Sequence, residues 1–212
     1  MRTIIKKLIL ALALLLGTTY LFSNEDYSEH NVSNLRIINE HSIVIDQGYF
    51  TDGKVFDRTT RDLFKMVAAQ QALKMTTGVI IPIEIAVLSN GGYISFYDSL
   101  SGDLHLKDAY IVCTVATAES IAFSFMIEFC DERIMLPKAS VMTHHAFAFN
   151  AFGAKVFTDS SKRASIRHSD LEAIELNIDR DKWYAISRMQ GDKFYSKKEM
   201  KEYGIATDFL EE

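Results

Sequence analysis

One serine lies where a segment typical of a buried strand passes into a segment typical of a buried helix. In VCTVATAESIAFSF, residues 112–125, Glu119 and Ser120 mark that junction. Burying a polar group without a partner costs free energy, so the hydroxyl needs a structural or chemical reason. It either caps the helix that follows, or it is a nucleophile beside helix amides that would stabilise an oxyanion.

A serine nucleophile requires a base and amide donors, and both are found after other predicted strands. His144 ends the segment SVMTH and His145 follows it, so these two histidines are the candidate bases. The turn SNGG, residues 89–92, follows a β-branched run and offers backbone amides that no bulky side chain shields. The sequence therefore contains the parts of a serine hydrolase site.

Predicted strands and helices alternate along the chain, and these elements must position the residues named above. This alternation predicts an α/β protein with a mostly parallel sheet, in which sites lie beyond the carboxyl ends of strands. Ser120 and the SNGG turn both fall at such ends and could face one crevice. Strands are predicted at 41–46, 81–88, 108–115, 132–137, 140–144 and 205–210, and helices at 57–75, 93–101, 120–130, 165–190 and 196–204.

The composition is that of one globular domain and favours no nucleic-acid partner. The 212 residues carry a net charge of −5, with 48% hydrophobic and 24% charged residues. Cys113 and Cys130 lie in apolar runs, which favours buried free thiols and leaves a disulfide open. With the pair His144 and His145 they match no familiar ligand spacing, so no metal site is expected.

The first 25 residues have the layout of an export signal. Arg2, Lys6 and Lys7 precede an uncharged run, residues 8–22, which is short for a membrane span of about 20 residues. We therefore expect residues 1–25 to be a signal peptide or an N-terminal membrane anchor, and residues 26–40 to be a polar lead-in. Residues 41–212 would then form an extracytoplasmic domain, periplasmic or secreted, that meets a membrane only through this N-terminal segment.

Three segments together resemble the proteolytic subunit of the Clp protease (ClpP). They are SFYDSL at 95–100, LPKASVMTH at 136–144 and EYGIATDFL at 202–210, and they occur in that family's order and spacing. The resemblance runs from about residue 42 to residue 210. It implies an α/β ClpP/crotonase-like fold with repeated β-β-α units, a mostly parallel sheet and a protruding long helix.

The resemblance also implies a Ser-His-Asp triad and assigns its members by position. Ser120 would be the nucleophile, His144 the general base, and Asp192, in GDKFYS, the carboxylate that orients the base. The amides of Gly92 and Ile121 would hold the oxyanion. The substrate-binding residues implied in the same way are Gly91, Gly92, His145 and Ala146.

Three departures from the family's pattern surround this site. Asn90 replaces the family's Pro before the Gly-Gly turn, and Glu119 replaces a small residue before the nucleophile. A carboxylate about 4 Å from the oxyanion would oppose it by about 4 kcal/mol at an effective dielectric near 20. The segment after His144, residues 145–157, lacks the family's Gln-Pro and is more aromatic.

The implied function is that of a serine endopeptidase acting through an acyl-enzyme without a cofactor. Its substrates would be peptides or unfolded proteins. The chain would form a homo-oligomeric ring, heptameric or stacked, with residues 165–190 between rings. An exported chain meets no ATP, so we expect no ATP-driven unfoldase.

Two other functions stay open. One is a catalytically silent ring scaffold or binding module, which Glu119 and the altered Gly-Gly region favour. The other is a crotonase-type enzyme acting on an acyl thioester, which shares the fold and needs no triad. The sequence has no evident basic cluster for an adenine nucleotide, which speaks against this second alternative.

Overall fold

The computed structural model describes residues 37–39, 41–188 and 191–211. The predicted leader, residues 1–25, and most of the predicted lead-in, residues 26–40, lie outside the described residues. The described residues belong to one compact unit. No helix within the described ranges is long and apolar enough to cross a membrane.

A mixed sheet with a parallel centre forms the middle of the unit, which confirms the α/β class expected from the sequence. The described strands are Ile37–Asn39 (β1), Ser42–Asp46 (β2), Ile83–Ser89 (β3), Ile111–Glu119 (β4), Glu132–Thr143 (β5), Ala148–Phe149 (β6), Lys155–Val156 (β7), Lys193–Phe194 (β8) and Asp208–Phe209 (β9). The order in the sheet is β1-β2-β3-β4-β5-β8, β9 pairs with β5, and β6 and β7 form a separate hairpin. The strands β2 to β5 are parallel to one another, whereas β1 and β8 run antiparallel at the two edges.

Helices cross between the strands, and their ends follow local capping rules. The longest described helix begins after Asp52, whose side chain accepts hydrogen bonds from the next amides, and ends at Gly78 in the left-handed conformation. The helices are Gly53–Thr77 (α1), Ile94–Asp98 (α2), Leu104–Lys107 (α3), Ile121–Phe129 (α4), Asp159–Glu175 (α5), Arg180–Ser187 (α6) and Lys197–Glu202 (α7).

The strand β5 is one continuous strand, so the prediction of two short strands around a turn, at 132–137 and 140–144, was wrong. Val115 of β4 pairs with Met135, whereas Thr117 pairs with Ser140, so β5 holds extra residues between these pairs. Pro137 lies in this irregular stretch, where its missing N–H breaks no regular ladder bond. A bulge therefore replaces the expected turn, and β5 runs on to Thr143.

The single helix predicted at 165–190 is instead two helices, α5 and α6. The first ends at Glu175, and Asn177 then adopts a left-handed conformation with a φ of 52°. Asn tolerates that conformation better than most residues. Asp179 caps α6 by accepting a 2.9 Å hydrogen bond from the amide of Lys182. The apolar periodicity continued through this break, which is why the sequence pattern did not reveal it.

A disulfide joins Cys113 in the middle of β4 to Cys130 just after α4, with the Cα atoms 5.8 Å apart. The expectation of free thiols was therefore wrong, although both residues are buried as predicted. The chain turns back after β4 and runs along it as α4, and this return brings two distant cysteines together.

Aromatic side chains pack the helices α4 and α6 against each other. Phe123, Trp183 and Tyr195 stack with ring centroids 5.8 to 6.2 Å apart. All nine residues of α4 are buried, so this helix has no solvent-facing side. The turn between β4 and α4 is thereby fixed within the core.

Candidate active site

Ser120 lies in the sharp turn between β4 and α4. Its φ of 56° and ψ of −122° are unusual for a residue with a side chain, and such strain costs about 1–3 kcal/mol. The amide of Ser120 donates a 2.8 Å hydrogen bond to the carbonyl of Met142, which ties the turn to β5. Its hydroxyl does not cap α4. The capping role considered from the sequence is therefore not the reason for this serine.

The glycine turn after β3 packs directly against Ser120. Gly91 has a φ of 89°, and a Cβ there would come within 2.8 Å of the Ser120 Cβ and of the Glu119 carbonyl. A Cβ on Gly92 would come within 2.1 Å of the carbonyl oxygen of Phe50. Both positions therefore require glycine, one against the candidate nucleophile and the other against the neighbouring loop.

Two backbone amides beside Ser120 have no acceptor among the described residues. Ile121 is the first residue of α4, where the amide has no partner within the helix. The amide of Gly92 donates no hydrogen bond to a described residue either. These are the two amides that the sequence predicts for an oxyanion hole, and both residues line the same cavity as Ser120.

Most of the predicted site residues meet at two neighbouring cavities. The first, of about 510 Å³, is lined among others by the predicted residues Gly91, Gly92, Ser120, Ile121, His144 and Ala146. The second, of about 530 Å³, is lined by His144, His145, Ala146 and Asp192. His144 and Ala146 line both cavities, whereas Ser120 lines the first cavity and Asp192 lines the second.

The ring of His144 is held by a backbone carbonyl and not by Asp192. Its Nδ1 lies 2.5 Å from the carbonyl oxygen of His145, and no hydrogen bond joins it to Asp192. A carbonyl oxygen only accepts, so Nδ1 carries the proton and Nε2 is the free base.

Burial lowers the pKa of His144 below 6.5 and outweighs the opposing effects. The His145 carbonyl and the negative charge of Asp192 raise this pKa, whereas Lys155 and Arg188 lower it. The ring is therefore neutral at physiological pH. A neutral imidazole with a free Nε2 is the state that a general base needs.

Two uncharged donors form hydrogen bonds with the carboxylate of Glu119. Its carboxylate accepts a 2.6 Å hydrogen bond from the side-chain amide of Asn90 and a 2.5 Å bond from the hydroxyl of Ser140. Both carboxylate oxygens are thus engaged. Asn90 and Glu119 are the two departures from the family's pattern nearest Ser120. A hydrogen bond joins their side chains.

Two residues around the cavity were not foreseen. Gln47 clamps the glycine turn, because its Oε1 accepts from the amide of Asn90 at 2.8 Å and its Nε2 donates to the carbonyl of Gly91 at 3.2 Å. Gln47 directly follows β2. Its position at the carboxyl end of a parallel strand could have identified it from the sequence as a residue near the site. Arg188 lines the cavity from the end of α6. No local pattern marks it, because a tertiary contact brings it there.

Within the described residues no three His, Cys, Asp or Glu side chains come together in a way that could hold a metal ion.

These features define an α/β protein with a ClpP-like fold and a serine at a strand-to-helix turn. The sequence matches no family model, and no curated protein matches it. Among solved structures it is similar to a mutant ClpP1 from Listeria monocytogenes, with a TM-score of 0.63 and 16% sequence identity. That likeness covers 82% of this chain and 92% of the other chain. At this level of identity the likeness shows the fold.

Proposed function

We propose that this chain is a serine endopeptidase in which Ser120 is the nucleophile and His144 the general base. One observation carries the proposal. The uncapped hydroxyl of Ser120, on a strained turn, shares a cavity with His144 and with the free amides of Gly92 and Ile121. A helix cap needs neither that strain nor those neighbours.

Each group has a definite task in the proposed reaction. Nε2 of His144 accepts the hydroxyl proton while Oγ of Ser120 attacks the carbonyl carbon of the scissile bond. The amides of Gly92 and Ile121 hold the oxyanion that forms. His144 then gives its proton to the departing amine as the carbon–nitrogen bond breaks, which leaves an acyl-enzyme. Water, deprotonated by His144, releases the acid and restores Ser120.

In this proposal two groups share the role of the third triad member. One fixes the tautomer of His144, and the other stabilises its protonated form. The carbonyl of His145 fixes the tautomer of His144, at 2.5 Å from Nδ1. Asp192 acts on the same ring through its charge, which raises the pKa of His144 and stabilises the imidazolium.

The setting of the enzyme is also a proposal. We infer that the substrates are peptides or unfolded proteins, that the chain works as a homo-oligomeric ring outside the cytoplasm, and that no ATP-driven unfoldase takes part. The Cys113–Cys130 disulfide supports an oxidising compartment, because disulfides are rare in the cytosol. Exposed aromatic residues on the β6–β7 hairpin, Phe149 and Phe152, offer apolar surface for subunit or substrate contacts.

A catalytically silent scaffold is the second candidate, and one observation favours it. Asp192 makes no hydrogen bond to His144, so the triad is not closed in the way that the resemblance implies.

Labelling with a fluorophosphonate distinguishes these two functions. We expect the wild-type chain lacking residues 1–25 to be labelled, and the Ser120→Ala variant to lose all label. Ser196→Ala is the matched control, because Ser196 is a helix N-cap that does bind its helix amide and should leave labelling intact. A folded wild-type protein that takes no label would favour the silent scaffold.

A further inference from the structure

Four large aliphatic side chains are exposed where α1 ends and the chain leads into β3. They are Met75, Val79, Ile80 and Ile81, with exposed fractions between 36% and 82%. We call these four residues the 75–81 patch. Single exposed apolar residues are common on protein surfaces, whereas a group of neighbours marks a surface for interaction.

Hydrogen bonds fix the backbone that carries the 75–81 patch. Gly78 ends α1 in the left-handed conformation, and its amide donates a 2.9 Å bond to the carbonyl of Lys74. The side-chain amide of the buried Gln70 donates to the carbonyl of Ile81 at 2.7 Å and to that of Tyr110 at 2.9 Å. The loop is therefore held against the domain while its aliphatic side chains remain in solvent.

The exposed face of α1 extends the patch and adds cations. Positions that recur every three or four residues share one helix face, and on α1 such a set is exposed at Lys54, Arg58, Arg61, Lys65, Ala68, Ala72 and Met75. The acids beside it are Asp57, which is exposed, and Asp62, which pairs with Lys65 at 2.9 Å. The first half of this face is thus basic, although the whole chain has a net charge of −5, and its second half is apolar. Cations next to exposed apolar side chains are typical of surfaces that bind anionic lipid.

The 75–81 patch and the candidate active site lie at opposite ends of β3. The patch immediately precedes this strand, and the glycine turn that packs against Ser120 follows it. The strand has 7 residues, so about 20 Å separates its two ends. A surface that contacts the patch would therefore leave the cavity open to solvent.

The chain enters the domain close to the patch. Ile37 pairs with Ile43 of β2, which pairs with Ile85 of β3, so β1 lies two strands from β3, about 10 Å away. The uncharged run that the sequence predicts to be a signal or an anchor ends at residue 22. Residues 23–36 can span at most about 50 Å. In a chain anchored by that run, the bilayer is within reach of the patch.

We propose that the 75–81 patch and the cations of α1 dock this domain on the surface of a bilayer that contains anionic phospholipid. The aliphatic side chains enter the boundary between headgroups and acyl chains, and Lys54, Arg58 and Arg61 face the lipid phosphates. A second copy of this face is a poorer occupant, because it would bury these cations without carboxylates to balance them. The docking uses no residue that lines either cavity, so it does not depend on the proposed peptidase.

Quenching by brominated lipid tests this contact in the full chain. Cys113 and Cys130 form a disulfide, so the new thiol in Val79→Cys can be labelled selectively with the fluorophore bimane. The vesicles contain equal amounts of phosphatidylcholine and phosphatidylglycerol, with bromine near the top of the acyl chains. We expect strong quenching in Val79→Cys and none in Ile174→Cys, the matched control at an exposed aliphatic position on α5. Equal quenching in the two variants would overturn the proposal.

Co-sedimentation with unbrominated vesicles of the same lipids separates the patch from the N-terminal segment. The chain lacking residues 1–25 keeps the whole hydrophobic core, which begins at Ile43, and we expect it to bind these vesicles. Val79→Asp combined with Ile80→Asp should lower the partition ratio at least about 10-fold, because it removes inserted apolar surface and adds charge. Arg58→Ala combined with Arg61→Ala should lower it about 5-fold for each cation removed. Ile174→Asp is the matched control and should bind like the wild type.

Three results would contradict membrane docking. They are a folded wild type that binds no anionic vesicle, equal binding by the double aspartate variant at Val79 and Ile80, and self-association in lipid-free solution that this variant abolishes. The last result would assign the patch to a second copy of the chain. Ser120→Ala should bind vesicles like the wild type, so failure of the peptidase and failure of the docking are distinguishable.

Discussion

Glu119 accepts a 2.6 Å hydrogen bond from the side-chain amide of Asn90, across the gap between β4 and the glycine turn. The carboxylate next to Ser120 is thereby part of the structure that holds Gly91 and Gly92. The hydrogen bond connects the two segments that carry the amides proposed to hold an oxyanion, because Gly92 follows Asn90 in the chain and Ile121 follows Glu119. A replacement at Asn90 should therefore change how much Glu119 contributes to the free energy of unfolding.

A double-mutant cycle measures this connection. We expect Asn90→Ala and Glu119→Ala each to lower the free energy of unfolding, with a coupling energy of about 1 kcal/mol between them. Urea unfolding of the four proteins provides the values. Additive effects would mean that the hydrogen bond contributes nothing in solution. Ser196→Ala paired with Asn90→Ala is the control, because Ser196 caps α7 and shares no hydrogen-bond partner with Asn90, so their effects should add.

The rate of fluorophosphonate labelling should depend on pH through His144. Because burial lowers the pKa of His144, the labelling rate should increase with pH. The midpoint of this increase should lie below pH 6.5. Asp192 raises this pKa, so Asp192→Asn should move the midpoint to lower pH. Lys155 lowers it, so Lys155→Met should move the midpoint to higher pH. Shifts in the same direction for both variants would contradict the electrostatics described here.

The Asp192→Asn variant also tests the role proposed for Asp192 beside His144. Where a carboxylate bonds the histidine directly, its loss costs about 10⁴-fold in kcat. Here the His145 carbonyl holds the ring, so we expect Asp192→Asn to lower the labelling rate by only about 10- to 100-fold. A loss near 10⁴-fold would mean that Asp192 closes on Nδ1 in the working enzyme.

Gly91 should tolerate no side chain. In Gly91→Ala the new Cβ would meet the backbone oxygen of Glu119 and the Cβ of Ser120 at 2.8 Å, so the turn must move away from the nucleophile. We expect labelling to fall at least about 100-fold, the size of effect seen when an oxyanion donor is lost. Gly153→Ala is the matched control, because Gly153 also has a positive φ and meets nothing within 4 Å. Similar labelling in both variants would contradict the packing.

Removal of the disulfide should destabilise the domain without touching the cavity. Cys113→Ala with Cys130→Ala opens a link across 17 residues, for which a loss of about 3 kcal/mol in the free energy of unfolding is expected. Urea unfolding with and without reductant gives this value for the wild type. Two titratable thiols in protein unfolded without reductant would show that the bond does not form.

The parts of the site that sequence could predict are those set by local rules. Ser120 and the Gly91–Gly92 turn both follow apolar, β-branched segments, and parallel strands present their carboxyl ends at one edge. That is enough to bring Ser120, the amides of Gly92 and Ile121, and His144 to one cavity. The helix α1 was predicted at 57–75, whereas it spans Gly53–Thr77, because the caps Asp52 and Gly78 set its ends and the prediction did not use them.

What the sequence did not reveal depends on contacts between distant segments. The left-handed Asn177 interrupts a helix whose apolar spacing continues undisturbed, and Pro137 sits in a bulge that only the pairing of β4 with β5 creates. The disulfide follows from the return of α4 along β4, and the place of Arg188 follows from the packing of α6. The ring of His144 bonds to a backbone carbonyl. Every residue type has such a carbonyl, so the sequence could not identify this partner.

The complete burial of α4 has a consequence for how the cavity can move. A helix without a solvent face cannot fray by itself, so its hydrogen-bonded amides should exchange with deuterium only when the whole domain unfolds. Phe149 of the β6–β7 hairpin lines the same cavity and is 64% exposed. In the proposed peptidase, substrates of different shape would be accommodated by movement of this exposed hairpin. The segment that carries Ser120 would stay rigid, so that every substrate would meet the same geometry at the proposed nucleophile.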